Sequence, residues 1–177
     1  LYGYLLGIRK SLPAARRDGM GLPEDYRIIN SLGGHYSNIT NLSLLGVNIR
    51  QRVIRIRIGD ANAIDIADFE HQLEACLRLH CVVPTIMLTM GTTDTFGVDR
   101  VKPVWEGRNR LCDLYGVSVR PHIHVDAAVG WAMLFFREYD FAENPLAINP
   151  VTLRGLEANA ARFDELRYAD SFTVDFH

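Results

Sequence analysis

Cysteine is scarce in this chain: Cys76, Cys81 and Cys112 are its only three in 177 residues, odd in number and without any Cys-x-x-Cys spacing. That argues against a disulfide framework and against a structural zinc site, and a reducing, cytoplasmic setting fits best. An excess of basic residues is also missing. With 19 Lys and Arg against 21 Asp and Glu the formal net charge is -2, so nothing implies a surface that would bind nucleic acid or an anionic membrane by counterion release. No apolar run approaches the roughly 20 residues needed to cross a bilayer. The start, Leu1-Tyr2-Gly3-Tyr4, lacks the basic stretch that opens a signal peptide, an argument weakened by the absence of an initiator Met.

What is present is the composition of a globular protein, 48% hydrophobic and 23% charged, able to bury a core. Short β-branched runs alternate with longer helical stretches, the mark of an α/β domain with a mainly parallel sheet flanked by helices. Residues 1–15 read as a helix without an N-cap, as if the chain began within an element, with Leu5, Leu6 and Ile8 for burial and Arg9, Lys10, Arg16 and Arg17 for solvent. Strands are expected over 26–30, 53–58, 84–90, 120–126 and 168–175. Helices are expected over 36–45, 65–80, 101–115, 132–139 and 151–166, the second with Ile66, Phe69, Leu73, Cys76 and Leu77 on one face. Gly46 and Gly116 supply helix stops. Strands apolar on both faces belong inside a sheet covered by helices.

Ligands of open α/β sheets collect at the carboxyl ends of strands. Three such ends carry suggestive polar groups: Gly91-Thr92-Thr93, Asp126 within Pro121-His-Ile-His-Val-Asp-Ala-Ala-Val-Gly130, and Asp175-Phe176-His177. Several candidate residues, His35 before its helix among them, have a plain alternative. Asp126 could cap the helix that follows, His35 could cap its own helix, and Thr92 and Thr93 could serve ordinary turn chemistry. His122, His124 and Asp126 alternate along a strand and face one way, which is also a pattern of metal-dependent hydrolases. The remaining His71 and His80 lie on a helix nine positions apart, so a closed ligand set cannot be drawn. Trp105 and Trp131 read as packing aromatics, with Trp131 alternatively shaping a substrate pocket.

Taken in order, Gly33-Gly34-His35-Tyr36-Ser37-Asn38, Gly91-Thr92-Thr93, His124-Val125-Asp126-Ala127-Ala128 and Ala169-Asp170-Ser171 through His177 resemble the group II pyridoxal phosphate-dependent decarboxylases, those acting on glutamate and aromatic amino acids. The resemblance runs from His35 to His177 and extends toward Leu1. It implies a segment of the large domain of a fold-type I pyridoxal phosphate enzyme, residues 1–177 being its central part. The phosphate-binding turn, the lysine that carries the cofactor and a C-terminal domain are expected outside these residues. The implied activity is decarboxylation of an L-amino acid through an external aldimine and a quinonoid intermediate, in a homodimer with the active sites near the subunit boundary.

By the same resemblance Asp126 pairs with the pyridine nitrogen, holding it protonated so that the ring can accept electrons. Ala128 lies against one face of the ring, and His35 stacks on the other and delivers a proton. Thr92 and Thr93 stand beside the cofactor, Thr93 as the first choice for a catalytic role, and His177 supports the site near the phosphate. The pattern departs in two places: Val129-Gly130-Trp131 follows the aspartate where the family has an aromatic residue and glycines, and Asp126 and Asp170 are 44 positions apart, which is long. The alternatives are another fold-type I lyase or aldehyde-forming enzyme, a metal-dependent hydrolase using His122, His124 and Asp126, and a catalytically inactive paralogue acting as a binding subunit.

Overall fold

The computed structural model describes residues 1–21 and 25–176. Five short strands, β1 (Ile28–Ser31), β2 (Val53–Ile56), β3 (Thr85–Thr89), β4 (His122–Asp126) and β5 (Ser171–Thr173), form one sheet in the order β2-β1-β3-β4-β5. Every pairing is parallel, so all five carboxyl ends open on one edge of the sheet. Seven α-helices are described: α1 (Tyr2–Ser11), α2 (Ala15–Asp18), α3 (Ser37–Leu44), α4 (Ile49–Arg52), α5 (Ile66–Arg78), α6 (Val101–Leu114) and α7 (Pro150–Phe163). The parallel α/β architecture expected from the sequence is the observed one.

Strand parity divides the interior in two. Ile86 and Leu88 of β3, with Ile123 and Val125 of β4, pack with Phe69 and Leu73 of α5, Val104 and Leu111 of α6 and Phe163 of α7. On the opposite face Met87 and Ile28 pack with Tyr4 and Ile8 of α1 and Leu42 of α3. Each such apolar side chain, fully withdrawn from water, stabilises the fold by about 1.5–3 kcal/mol, and covering both faces is what a parallel sheet requires. The stop of α5 is a Schellman turn, with His80 N–H bonded to the Leu77 carbonyl, Cys81 N–H to the Cys76 carbonyl, and His80 at φ 56°; it sends the chain back toward β3.

Several boundaries differ from expectation for physical reasons. The first helix breaks at Leu12-Pro13-Ala14, because proline cannot supply the next N–H. Its buried face is Gly3, Tyr4, Gly7 and Ile8, while Leu6 is exposed and Leu5 half-buried. The two glycines are the contact surface: a Cβ on Gly3 would stand 2.2 Å from His124 Cγ, and one on Gly7 would stand 2.1 Å from Thr85 Oγ1. The helix expected over 132–139 is a 3₁₀ turn, Gly130–Phe136, and the helix expected over 151–166 ends at Phe163 and tightens into a 3₁₀ turn, Asp164–Tyr168. Strand β5 has three residues and is largely exposed rather than apolar on both faces, since among the described residues it is the edge of the sheet and pairs with β4 alone.

Candidate active site

At the carboxyl edge of β3 and β4 lies a cavity of about 480 Å3, lined among others by His35, Thr92, Thr93, Asp126 and Ala128. Five segments far apart in sequence supply its walls: Leu1 ahead of α1, the turn into α3, the end of β3 and its loop, the end of β4 and its turn, and β5 with the chain beyond it. His177 lies outside the described residues; Asp175, two positions before it, does line the cavity. Trp131 does not. It packs against Phe176 in a tilted arrangement at 4.7 Å and edge-on against Phe135 at 5.6 Å between ring centroids, so it packs beside the site rather than shaping it.

Asp126 is the last residue of β4, half-buried, with Oδ1 accepting the Ala128 N–H at 3.3 Å and Oδ2 facing Asn38 Nδ2 at 3.5 Å. The cap reading and the ligand reading are therefore not exclusive. One oxygen closes the turn after the strand, and the carboxylate as a whole still borders the cavity. His35 precedes α3, and the Ser37 N–H donates to its Nδ1 at 3.3 Å while Ser37 Oγ stands 2.9 Å from the same nitrogen. Because a backbone N–H can only donate, Nδ1 is the acceptor and the ring proton sits on Nε2.

The two threonines separate clearly. Thr92 Oγ1 accepts the Gly97 N–H at 2.8 Å and shares a hydrogen with Thr95 Oγ1 at 2.9 Å, so its hydroxyl is engaged by its own loop. Thr93 is exposed at the cavity wall. Just before them, Gly91 adopts φ +87°, a left-handed conformation that favours glycine. A Cβ on Gly91 would meet Gly130 Cα at 2.6 Å, and one on Gly130 would meet the Met90 carbonyl oxygen at 2.2 Å. Backbone-to-backbone contact at these two glycines is what brings the loop after β3 against the turn after β4.

His122 and His124 are buried and turned toward β5. Ser171 Oγ lies 2.7 Å from His122 Nε2 and 2.7 Å from His124 Nδ1, and Thr173 Oγ1 lies 2.9 Å from His124 Nε2. Burial, reinforced by the neighbouring His122, brings His124 down to about 4, so it is an uncharged ring held by two hydroxyls. Both nitrogens of His124 are thus committed away from Asp126. Among the described residues no three His, Cys, Asp or Glu side chains are grouped as a metal ion would need.

Below the cavity Asp99 is fully enclosed. It accepts the Thr89 N–H at 2.8 Å and the Ile64 N–H at 2.6 Å, and burial pushes its carboxyl up to about 6. Sequence reasoning missed Asp99, Asn38, Thr89 and Thr173. Strand parity could have found two of these, because Thr89 and Thr173 are the register partners of Asp126 on either side.

No family model matches the chain. It is 24% identical over 166 residues to the L-2,4-diaminobutyrate decarboxylase of Acinetobacter baumannii, covering 93% of this chain and 27% of that protein. Among solved structures, mouse CSAD superposes with a TM-score of 0.70 at 20% identity, over 98% of this chain and 30% of that one. Oryza sativa TDC with PLP superposes with a TM-score of 0.67 at 19% identity, over 97% of this chain and 31% of that one. The chain therefore spans between about a quarter and a third of the length of the proteins it matches. The fold is theirs, and the similarity bears out the resemblance to the group II amino-acid decarboxylases read from the sequence.

Proposed function

We propose that this chain belongs to a pyridoxal phosphate-dependent decarboxylase of an L-amino acid, and that residues 1–177 are the central part of its cofactor-binding domain. The observation that carries the reading is convergence: His35, Thr92, Thr93, Asp126 and Ala128, drawn from three separate motifs, border one cavity at the carboxyl ends of the strands. The similarity to a diaminobutyrate decarboxylase and to a structure named as holding PLP supports the same chemistry. The phosphate-binding turn, the lysine and a further domain are proposed to lie outside these residues.

The residues present fit the cofactor in kind. The cavity is of the size that takes a small flat ligand. It offers a carboxylate, an imidazole and a small residue, Ala128, where a ring needs room. It also holds a buried hydroxyl, Thr89 Oγ1, that has no partner among the described residues. When bound, pyridoxal phosphate supplies an electron-accepting ring.

In this reading Asp126 faces the ring nitrogen, where a negative charge keeps a protonated nitrogen from losing its proton. Ala128 N–H and Asn38 fix the carboxylate's orientation. His35 would stack on the ring, its bonds to Ser37 orienting the imidazole, and would be the group that moves a proton there. Thr93 contributes its hydroxyl at the cavity wall, and Ala128 excludes water from the ring's other face. His177 is proposed to support the phosphate end.

A homodimer is part of the proposal, supported by the exposed apolar side chains of Phe135, Phe172 and Phe176 beside the site. A cytoplasmic location is supported by three buried free cysteines. No described helix is long and apolar enough to cross a membrane. The test is the full-length protein incubated with pyridoxal phosphate and a panel of L-amino acids. A visible absorption band abolished by borohydride, with carbon dioxide release from at least one amino acid, is expected; a protein that forms no such band contradicts the proposal.

A further inference from the structure

Thr89 ends β3 directly beside Asp126, in register with it on the same side of the sheet. Its backbone is held from both directions by one residue. The N–H donates to Asp99 Oδ2 at 2.8 Å, and the carbonyl accepts the Asp99 N–H at 2.9 Å. Its side chain is the opposite case. Thr89 is 3% exposed, borders the cavity, and its Oγ1 has no hydrogen-bond partner among the described residues.

A buried hydroxyl left unpaired costs about as much as a lost hydrogen bond, and native structures rarely keep one without a use. Here the surroundings keep it available. Gly34 faces it, and a Cβ there would lie 3.0 Å from Thr89 Oγ1, so any side chain at 34 would crowd the hydroxyl. Thr92, three residues past the strand, has spent its own hydroxyl on Gly97 and Thr95. Among the described residues, the unpaired hydroxyl in register with Asp126 in the sheet is therefore that of Thr89.

We infer that Thr89 is a further cofactor-binding residue, its hydroxyl forming a hydrogen bond with the same ring that Asp126 holds, or with the Asp126 carboxylate once that ring is in place. The inference rests on the proposed cofactor chemistry. It makes a prediction that a merely structural threonine would not make: the hydroxyl is a burden to the empty protein and an asset to the loaded one.

The experiment uses the full-length protein, its Thr89→Val variant, which keeps the shape and removes the hydroxyl, and Thr89→Ser, which keeps the hydroxyl. Thermal melting without cofactor and titration with pyridoxal phosphate followed by absorbance are measured on all three. Thr89→Val is expected to melt at or above the wild-type temperature when empty, yet to bind the cofactor about tenfold more weakly, the worth of one hydrogen bond. Thr89→Ser is expected to recover most of that binding. Equal affinity in wild type and Thr89→Val overturns the inference alone, as does an empty Thr89→Val that melts well below wild type. A wild-type protein that takes up no pyridoxal phosphate overturns the proposed function, and this inference with it.

Discussion

His124 Nδ1 and Ser171 Oγ stand 2.7 Å apart across the pairing of β4 with β5, and that bond helps tie the edge strand to the strand that ends in Asp126. His124 Nε2 makes the companion bond to Thr173. The edge strand has three residues and, among the described residues, no neighbour on its other side, so side-chain bonds supplement a short backbone ladder. The residues just beyond it, including Asp175, reach the cavity. The imidazole thus sets where that end of the site lies.

Because burial holds His124 uncharged, its folded-state pKa of about 4 lies below the ordinary value of 6.5. A group whose folded pKa is depressed gives stability that is present above 6.5 and is lost as pH falls toward 4. In chemical denaturation of the full-length protein, stability should therefore decline over that interval. A His124→Gln variant should lose part of this decline while being less stable at pH 7 by about 1–3 kcal/mol.

Asp99 makes the contrary case, with a folded pKa of about 6 against an ordinary 3.8. Its contribution is fullest below 3.8 and is lost as pH rises through 6, because a buried carboxyl is then forced to ionise. The stability of wild type minus that of Asp99→Asn should fall between about pH 4 and pH 6. A difference that rises with pH would contradict the assignment.

Asp126→Asn keeps the side chain's shape and removes its charge. It should retain some pyridoxal phosphate while turnover falls by on the order of a hundredfold, since a charge-assisted contact is worth about 3 kcal/mol. Turnover near the wild-type level would mean that Asp126 only caps the turn to Ala128.

Two glycines on helices should respond in opposite directions to the same change. Gly3→Ala would put a methyl 2.2 Å from the His124 ring and should destabilise by about 3 kcal/mol or more. Gly155→Ala, in α7 with nothing within 4 Å of the new carbon, should stabilise by about 0.5–1 kcal/mol. Melting temperatures of the two variants check both signs.

The strand and helix order was readable because strand residues such as Ile86 and Leu88 and the stripe of Phe69, Leu73 and Leu77 carry their periods openly. The face of α1 was not, because Gly3 and Gly7 register as gaps in a hydrophobic pattern although they form its closest contacts. Asp126, His35 and Ala128 were legible as motif positions at a strand end and a helix start. Thr89 was not, since a threonine in a strand looks like one more β-branched filler. His124 looked like a metal ligand because spacing along β4 reveals which way the ring faces but not what it meets. Its partners Ser171 and Thr173 lie 47 and 49 residues away.

The contact of Gly91 with Gly130 gives the site a frame made of main chain alone. Side chains that face the cavity from the same two loops, Thr93 and Val129, can therefore be exchanged without disturbing the join between the loops. Residue 129, which carries no assigned role, is accordingly the place to begin when redesigning what this cavity accepts. Positions 91 and 130 should be left untouched in any such library, since a methyl at either would pry the two loops apart and displace Thr93 and Asp126 together.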